Sequence, residues 1–389
     1  SLYYNRIKNG HILNIDKQSY LPFYEEVKQP SCLKMNLYGY QKQSLNKMIE
    51  IEKGNFIQNI KYTKDIDFSG TNIMFNPLTG MKTDKEDYLN IEVKGGILAD
   101  KMGLGKTITS LCLIPSNPST YSEKYKNNLI YSKATLLICP SHLSKQWKVE
   151  VNKALPHLKV ISILTKTNHK KVTYKDIINS DLVIVSQQFL MNFKYYPTIN
   201  YIPVTPSTIN SSSRYLHLNK ELVKMKSEIS YEKICEKNCP ILEHFFFHRL
   251  LVDEGHEIFS GMLSNRRMSD YVYDWLKNVK TNFNWYISGT PFANYDGVIS
   301  ALNFIKLRLY KNDIVNPILN VEFTADDFRT FKFLNKKYMI DQLLSKVCIR
   351  HLNSDVANQV KIPGYDEEVV WIDLTDLEKD LYLSQKGRV

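Results

Sequence analysis

The chain has 389 residues, 43% hydrophobic and 23% charged, a globular balance with enough apolar sequence for one or two domains and against wholesale disorder. Lys plus Arg exceed Asp plus Glu by 51 − 40 = 11 and the pI is near 9.1, which favours a polyanionic partner, nucleic acid first, although the richness in Asn, Lys, Ile and Tyr also adds lysine without adding function. No apolar run approaches the roughly 18 residues of a membrane span and no signal-peptide pattern opens the chain, so neither a membrane nor a secreted protein is expected.

In chain order, a polar, turn-rich stretch over 51–94 precedes the first clear strand, and from residue 95 the rhythm is strand, turn and helix. Apolar, β-prone runs fall at 96–99, 135–139, 160–164, 182–186, 250–252 and 285–288, with amphipathic patterns over 143–155 and 298–307 between some of them. Continuous apolar strands alternating with helical patterns predict an α/β fold, a parallel sheet flanked by helices on both faces. Two insertions interrupt it: 51–94, and about 191–240, which holds Pro203, Pro206, Ser211-Ser212-Ser213 and a Lys/Glu-rich helical patch. Partial order is expected in the Ser-rich part. The helical-looking 374–385 runs close to Val389, and with Ser1 at the start this suggests a piece of a longer protein. The six cysteines are scattered, several inside apolar runs, which suits buried thiols better than a disulfide framework.

Three strings carry chemistry. Gly95 through Thr107 takes an apolar strand into a glycine-containing loop, after which Gly105-Lys106-Thr107 opens a helix. The loop Asp100, Lys101, Met102, Gly103, Leu104, Gly105, Lys106 and Thr107 is a phosphate cradle: glycines let backbone N–H groups approach, Lys106 reaches the β/γ-phosphates and the Thr107 hydroxyl is a Mg²⁺ ligand. Asp100 stands where the consensus has its first glycine. Next, Leu251-Val252-Asp253-Glu254-Gly255-His256 sets two acids after a strand. Alone such a pair is usually a solvated strand end; behind a phosphate loop, Asp253 is expected to hold Mg²⁺ and Glu254 to orient and deprotonate the attacking water. Third, Ser288-Gly289-Thr290-Pro291 ends a strand with small hydroxyl residues that can link a γ-phosphate sensor to a bound polymer, and by itself is only a turn.

In this order the three strings resemble the Swi/Snf-type DNA-translocating ATPases of helicase superfamily II, and the likeness runs from residue 33 to 389. Leu37-Tyr38-Gly39-Tyr40-Gln41-Lys42-Gln43 resembles the family's adenine-side motif, which implies Gln41 as adenine reader. Leu136 through Leu143, followed by Gln146-Trp147, resembles the motif that contacts the tracked strand, which implies DNA contacts at Pro140, Ser141 and His142; Asp181 through Ser186 matches the following strand and adds Ser186. Phe247-His248-Arg249-Leu250 leads into the acidic box, and Val347 through His351 with Trp371 through Leu374 resemble the exit from the first lobe. Asn76 through Gly80 and the Gly255-His256 ending look most like the RING-bearing post-replication-repair branch, whose RING and second-lobe segments this sequence lacks. Two departures stand out: Lys101 where the family usually has glutamate, and Ser186-Gln187-Gln188 in place of Thr-Thr-Tyr.

The resemblance implies a RecA-like P-loop NTPase lobe over 95–350, an N-terminal extension over 1–36, the adenine-side motif and insertion over 37–94, and a linker over 351–389 toward a second RecA-like lobe. It implies ATP and Mg²⁺ as cofactors, and double-stranded DNA with its bound proteins, nucleosomes or repair and replication factors, as partners. A nuclear location is implied, or a cytoplasmic one if a virus or plasmid encodes the chain. The expected activity is translocation on duplex DNA and remodelling, with the lobe nearly inert without the arginine fingers of its partner, worth about 10³–10⁵ in rate. The rivals are a strand-separating helicase and an ATP-binding scaffold with vestigial hydrolysis, for which Lys101 speaks and Lys106, Asp253 and Glu254 speak against. Among weaker signals, Cys235, Cys239, His244 and His248 have near-zinc spacing, but Phe245-Phe246-Phe247 reads as core strand and ordinary packing is favoured. His256 is implied to couple the acidic box to Thr290, and Lys194-Tyr195-Tyr196 reads more readily as insertion packing than as base stacking.

Overall fold

Buried apolar runs must find neighbours on both faces, and in the computed structural model they do so in one sheet. The structure describes residues 18–22, 24–54, 58–61, 63–68, 71–76, 81–86, 88–191, 211–259, 272–273, 275–292, 295–311, 321–324, 333–360, 368 and 373–386. Residues 77–80 of the branch-marking turn, Lys194-Tyr195-Tyr196, Pro203, Pro206 and Trp371-Ile372 lie outside the described residues. In chain order come α1 (Gly39–Glu52), β1 (Gln58–Lys61), β2 (Lys64–Phe68), β3 (Thr71–Asn76), β4 (Met81–Lys82), β5 (Tyr88–Glu92) and β6 (Gly95–Leu98). There follow α2 (Lys106–Ser116), β7 (Tyr125–Lys126), β8 (Leu129–Cys139), α3 (Ser141–Ala154), β9 (Val160–Ile163), β10 (Leu182–Ser186) and α4 (Ser211–Glu228). The remaining longer elements are β11 (Phe245–Asp253), β12 (Lys280–Ile287), α5 (Tyr295–Phe304), β13 (Arg308–Lys311), β14 (Val321–Thr324), α6 (Phe333–Val347), β15 (Cys348–Ile349) and α7 (Asp376–Lys386), with short helical turns such as Tyr174–Asn179, Gln187–Leu190 and His256–Phe259 along the chain.

The main sheet has the order β15-β6-β12-β11-β8-β10-β9, parallel throughout, with β7 antiparallel on β8. Helices α1, α2 and α3 pack on one another and on the sheet, as the alternating pattern predicts. Register levels the carboxyl ends: Ile287 pairs with Leu98 and Asp253, Val252 with Ile138, and Ser186 with Cys139. The phosphate loop, the Ser288 turn, the acidic box, Pro140 and Ser186 therefore leave the sheet along one edge, the edge where ligands bind in open parallel sheets.

Several strands are longer than their apolar runs. β8 begins at Leu129 and β11 at Phe245, because polar residues inside them such as Ser132 and Arg249 are buried against hydrogen-bond partners. Arg249, in the middle of β11, is the main case. Its guanidinium grips both oxygens of Glu52 at the end of α1, and Nη1 and Nη2 also donate to Thr135 Oγ1 and Asn117 O, each at 3.0 Å. Glu52 accepts in addition from Trp285 Nε1 (3.0 Å) and Asn117 Nδ2 (2.8 Å). The two side chains are 1% and 0% exposed, so the pair joins α1 to the centre of the sheet away from water.

The stretch 51–94, read as a polar insertion, forms strands. β2, β3 and β4 make an antiparallel meander, while β1 and β5 join β13 and β14 in a second sheet, with Glu92 opposite Arg308. That second sheet depends on chain more than 200 residues downstream, a pairing that no local pattern announces. Ser211-Ser212-Ser213 begins α4, in keeping with the preference of hydroxyl residues for helix starts. No helix among the described residues is long and apolar enough to cross a membrane.

The four residues at near-zinc spacing do not assemble: among the described residues no three His, Cys, Asp or Glu side chains converge as metal ligands. His248 Nε2 donates to Asn117 O (3.1 Å) while Nδ1 accepts from Asn282 Nδ2 (3.2 Å), and His244 Nδ1 accepts from the Tyr174 hydroxyl (2.8 Å). Burial first, and for His248 the Arg249 cation next, push both imidazoles down to about 4.

Two outcomes follow from this packing. Glu52→Ala should lower the unfolding free energy by roughly 3–5 kcal/mol in urea melts, because a buried guanidinium is left unpaired, whereas Glu52→Met with Arg249→Met should cost less than the two single losses added. Since His244 and His248 titrate lower in the fold than their ordinary 6.5, their contribution is whole above pH 6.5 and is lost as pH falls toward 4. Each should cost on the order of 2 kcal/mol by pH 5. His248→Gln, which keeps a terminal donor, should narrow the gap between melting temperatures at pH 7.5 and 5.

Candidate nucleotide-binding site

The phosphate loop runs from the end of β6 at Leu98 to the start of α2 at Lys106. Gly105 is the N-cap of α2 in a left-handed conformation (φ +76°), and a Cβ there would lie 2.3 Å from Gln41 Nε2, so a side chain would strain the backbone and displace the Gln41 amide. Lys106, the first residue of α2, curls back so that Nζ donates to the carbonyls of Asp100 (2.9 Å) and Lys101 (3.3 Å). Burial lowers its pKa, opposed by the nearby Asp100, Glu254 and Asp253. Lys106 and Thr107 line a cleft of about 360 Å³ together with Met102, Gly103, Gly105, Asp253 and Glu254, closed on the far side by Leu143, Gln146, Trp147 and Glu150 of α3. Leu104 is buried, Lys101 half-buried, and Met102 is 66% exposed at the mouth.

Asp253 ends β11 and is almost sealed. Its Oδ2 accepts from Trp147 Nε1 (2.6 Å) and its Oδ1 from Glu254 N (3.0 Å), which fixes the carboxylate and leaves each oxygen further acceptor capacity. Burial raises its pKa to about 6 in spite of the Trp147 donor. Glu254 has a left-handed backbone (φ +49°), uncommon for a residue with a side chain, and its Oε2 lies 3.1 Å from His256 Nδ1. That contact holds Glu254 below the ordinary carboxylate range and raises His256. Two neighbouring acids are thus driven apart, one upward by burial and one downward by an imidazole.

His256 Nδ1 is also 2.8 Å from Ser288 Oγ, and Ser288 Oγ accepts from Thr290 N (3.2 Å). The path from acidic box to turn therefore runs through Ser288 to Thr290. Gly289 lies against the phosphate loop, where a Cβ would sit 3.0 Å from Met102 Cγ and 3.3 Å from Lys106 Nζ.

Gln41 belongs to the first turn of α1. Its Oε1 accepts from Tyr38 N (3.0 Å) and its Nε2 donates to Leu104 O (3.3 Å), while the Tyr40 hydroxyl donates to the same carbonyl (2.9 Å). The adenine-side motif is thereby tied to the phosphate loop. At the other flank, Pro140 is the buried N-cap of α3, Ser141 follows half-buried and His142 is exposed. Ser186 is fully buried, its hydroxyl donating to Leu164 O (3.2 Å) and capping Phe189 N (3.1 Å). The residue presented beside Ser141 is Gln188, whose Oε1 accepts from Ser141 N (3.0 Å) and Oγ (2.7 Å).

The hydrogen-bond partners of these side chains are largely hidden in the sequence. The Trp147 bond to Asp253 had one visible clue, an aromatic residue two turns into the helix after Pro140. The bonds of His351 to Asp100 had none, since 251 residues separate the two.

The SNF2-related domain family matches residues 40–388. The chain is 33% identical over 311 residues to the DNA repair protein RAD5 of Debaryomyces hansenii, covering 76% of this chain and 23% of that protein. It is 24% identical over 412 residues to the uncharacterized ATP-dependent helicase IRC20 of Saccharomyces cerevisiae, covering 90% of this chain and 25% of that protein. The chain thus spans about a quarter of the length of these relatives. Among solved structures, the Sulfolobus solfataricus SWI2/SNF2 ATPase core in complex with dsDNA aligns with TM-score 0.47 and 17% identity, over 93% of this chain and 54% of that one. Matched from the adenine-side helix to its last described helix, the chain belongs to the SNF2-related domain family of Swi/Snf-type, helicase-like ATPases.

Proposed function

We propose that this chain is the first, ATP-binding lobe of an ATP-dependent double-stranded-DNA translocase that acts in the nucleus on DNA-bound proteins such as nucleosomes or repair and replication factors. The observation that carries the reading is the convergence of Lys106, Thr107, Asp253 and Glu254 on one cleft. The RAD5 likeness supports the repair setting, and the DNA in the Sulfolobus complex names the polymer its relative holds.

Lys106 neutralises the β/γ-phosphates, and the free N–H groups at the start of α2 receive phosphate oxygens. Thr107 and Asp253 suit Mg²⁺, a hydroxyl and a rigidly held carboxylate in one cleft with oxygen acceptor capacity to spare. When bound, Mg²⁺ neutralises developing phosphate charge. Glu254 stays ionised through His256 and so can accept a proton from the attacking water. His256, Ser288 and Thr290 carry the state of that carboxylate toward the DNA side, where Ser141, His142 and Gln188 are presented; Pro140 caps the start of α3 and Ser186 caps the short helical turn Gln187–Leu190. Gln41 reads adenine from the first turn of α1. Lys101 leaves this acid set intact, which favours turnover over a scaffold.

Full-length protein should hydrolyse ATP faster with duplex DNA, and Glu254→Gln should remove that gain by about 10²–10⁴. The lobe alone should turn over about 10³–10⁵ more slowly than the full protein, for want of arginine fingers. Absence of stimulation by duplex, single strand or RNA would replace the translocase with an ATP-binding scaffold. Oligonucleotide displacement would favour a strand-separating helicase.

A further inference from the structure

The chain that leaves β15 is hydrogen-bonded to the phosphate loop residue by residue. Ala99 N donates to Ile349 O (2.7 Å) and Lys101 N to His351 O (3.1 Å). Arg350, fully buried, donates through Nη1 to Ala99 O and, at 3.4 Å, to Gly289 O. His351 then closes the arrangement: its backbone N and its Nδ1 both lie 2.8 Å from Asp100 Oδ1. The two side chains are 4% and 1% exposed, and Asp100 Oδ2 is buried with no hydrogen-bond partner. The Tyr40 ring meets His351 edge-on at 5.2 Å, and Tyr40 N donates to Gln359 Oε1 (3.1 Å).

The hydrolytic roles above use none of these contacts, yet they hold the loop those roles need. Asp100 occupies the first-glycine position and its own carbonyl carries Lys106 Nζ. A buried carboxylate is costly unless donors meet it, and here both donors come from His351. Whatever moves His351 therefore moves Asp100 and, through one residue of backbone, the carbonyl against which Lys106 rests.

We propose that His351 is a positioning residue for nucleotide binding: its bonds to Asp100 hold the phosphate loop in the shape that presents Lys106, and they tie that shape to the chain leaving the sheet. This rests on the nucleotide-site reading. The carboxylate can only accept, so Nδ1 carries the proton. An asparagine amide can place its nitrogen where Nδ1 sits, whereas the glutamine amide reaches one carbon further.

The test is titration of the full-length protein with a fluorescent ADP analogue, beside steady-state ATPase on saturating duplex DNA. His351→Ala should weaken ADP by about tenfold, the scale of one lost charge-assisted hydrogen bond, with KM for ATP rising and kcat changing less. His351→Asn should bind ADP close to the wild-type level. Unchanged affinity in His351→Ala, or equal loss in the alanine and asparagine variants, overturns the proposal. If the alanine variant does not fold, His351→Gln takes its place, with the same tenfold loss expected against a near-normal His351→Asn; equality of the two overturns the proposal. A wild-type protein that fails to bind ADP overturns the nucleotide-site reading itself, while wild-type binding with an unaffected variant overturns only the role of His351.

Discussion

A carboxylate and a guanidinium, both closed off from water, join the first helix of this domain to the middle of its sheet. Glu52 and Arg249 sit at the end of α1 and in the centre of β11, and Trp285 of β12, Thr135 of β8 and Asn117 after α2 complete their hydrogen bonds. Such a pair is poor evidence of net stability, because two charges have been desolvated. Its consequence is geometric. α1 is a rod of about 1.5 Å per residue, so anchoring its last residue orients its first turn about 16 Å away. That turn carries Tyr40 and Gln41, both hydrogen-bonded to the Leu104 carbonyl of the phosphate loop. The first turn of α1 is thereby held against the phosphate loop.

The cleft itself is organised by unequal burial. Asp253 is sealed and tied by Trp147, while Glu254 one residue later has turned through a left-handed backbone into the reach of His256. Adjacent acids on a regular strand would point to opposite faces. The end of the strand and the positive φ of Glu254 bring both carboxylates to the same cleft instead. The sheet register then sets Ser288 beside them, since Ile287 and Asp253 are paired. A short chain of bonds, Glu254 to His256 to Ser288 to Thr290, is the outcome of that pairing.

Much of this was legible. The apolar runs 182–186 and 160–164 were apparent because β-branched and other apolar residues dominate them, and they became β10 (Leu182–Ser186) and β9 (Val160–Ile163), while 95–107 announced itself because strand, glycine turn and helix start occur together. The extra length of β8 and β11 was not legible, because Arg249 and Ser132 look like surface residues until Glu52 and the Ile177 carbonyl are found as their partners. The strands of 51–94 were hidden for a related reason: β5 is completed by β13. The family resemblance implied a DNA contact at Ser186, whose hydroxyl in the fold caps Phe189 and bonds Leu164.

By itself the sequence determined the class of fold and the residue types in the phosphate-loop and acidic strings, because those depend on apolar patterning and on spacing within a dozen residues. Tertiary structure alone decided which side chains face one another: Trp147 on Asp253, Arg249 on Glu52, His351 on Asp100. Each of these contacts spans more than a hundred residues of chain, and the bonds that satisfy a buried polar group are chosen by proximity in the fold, which spacing along the chain does not encode.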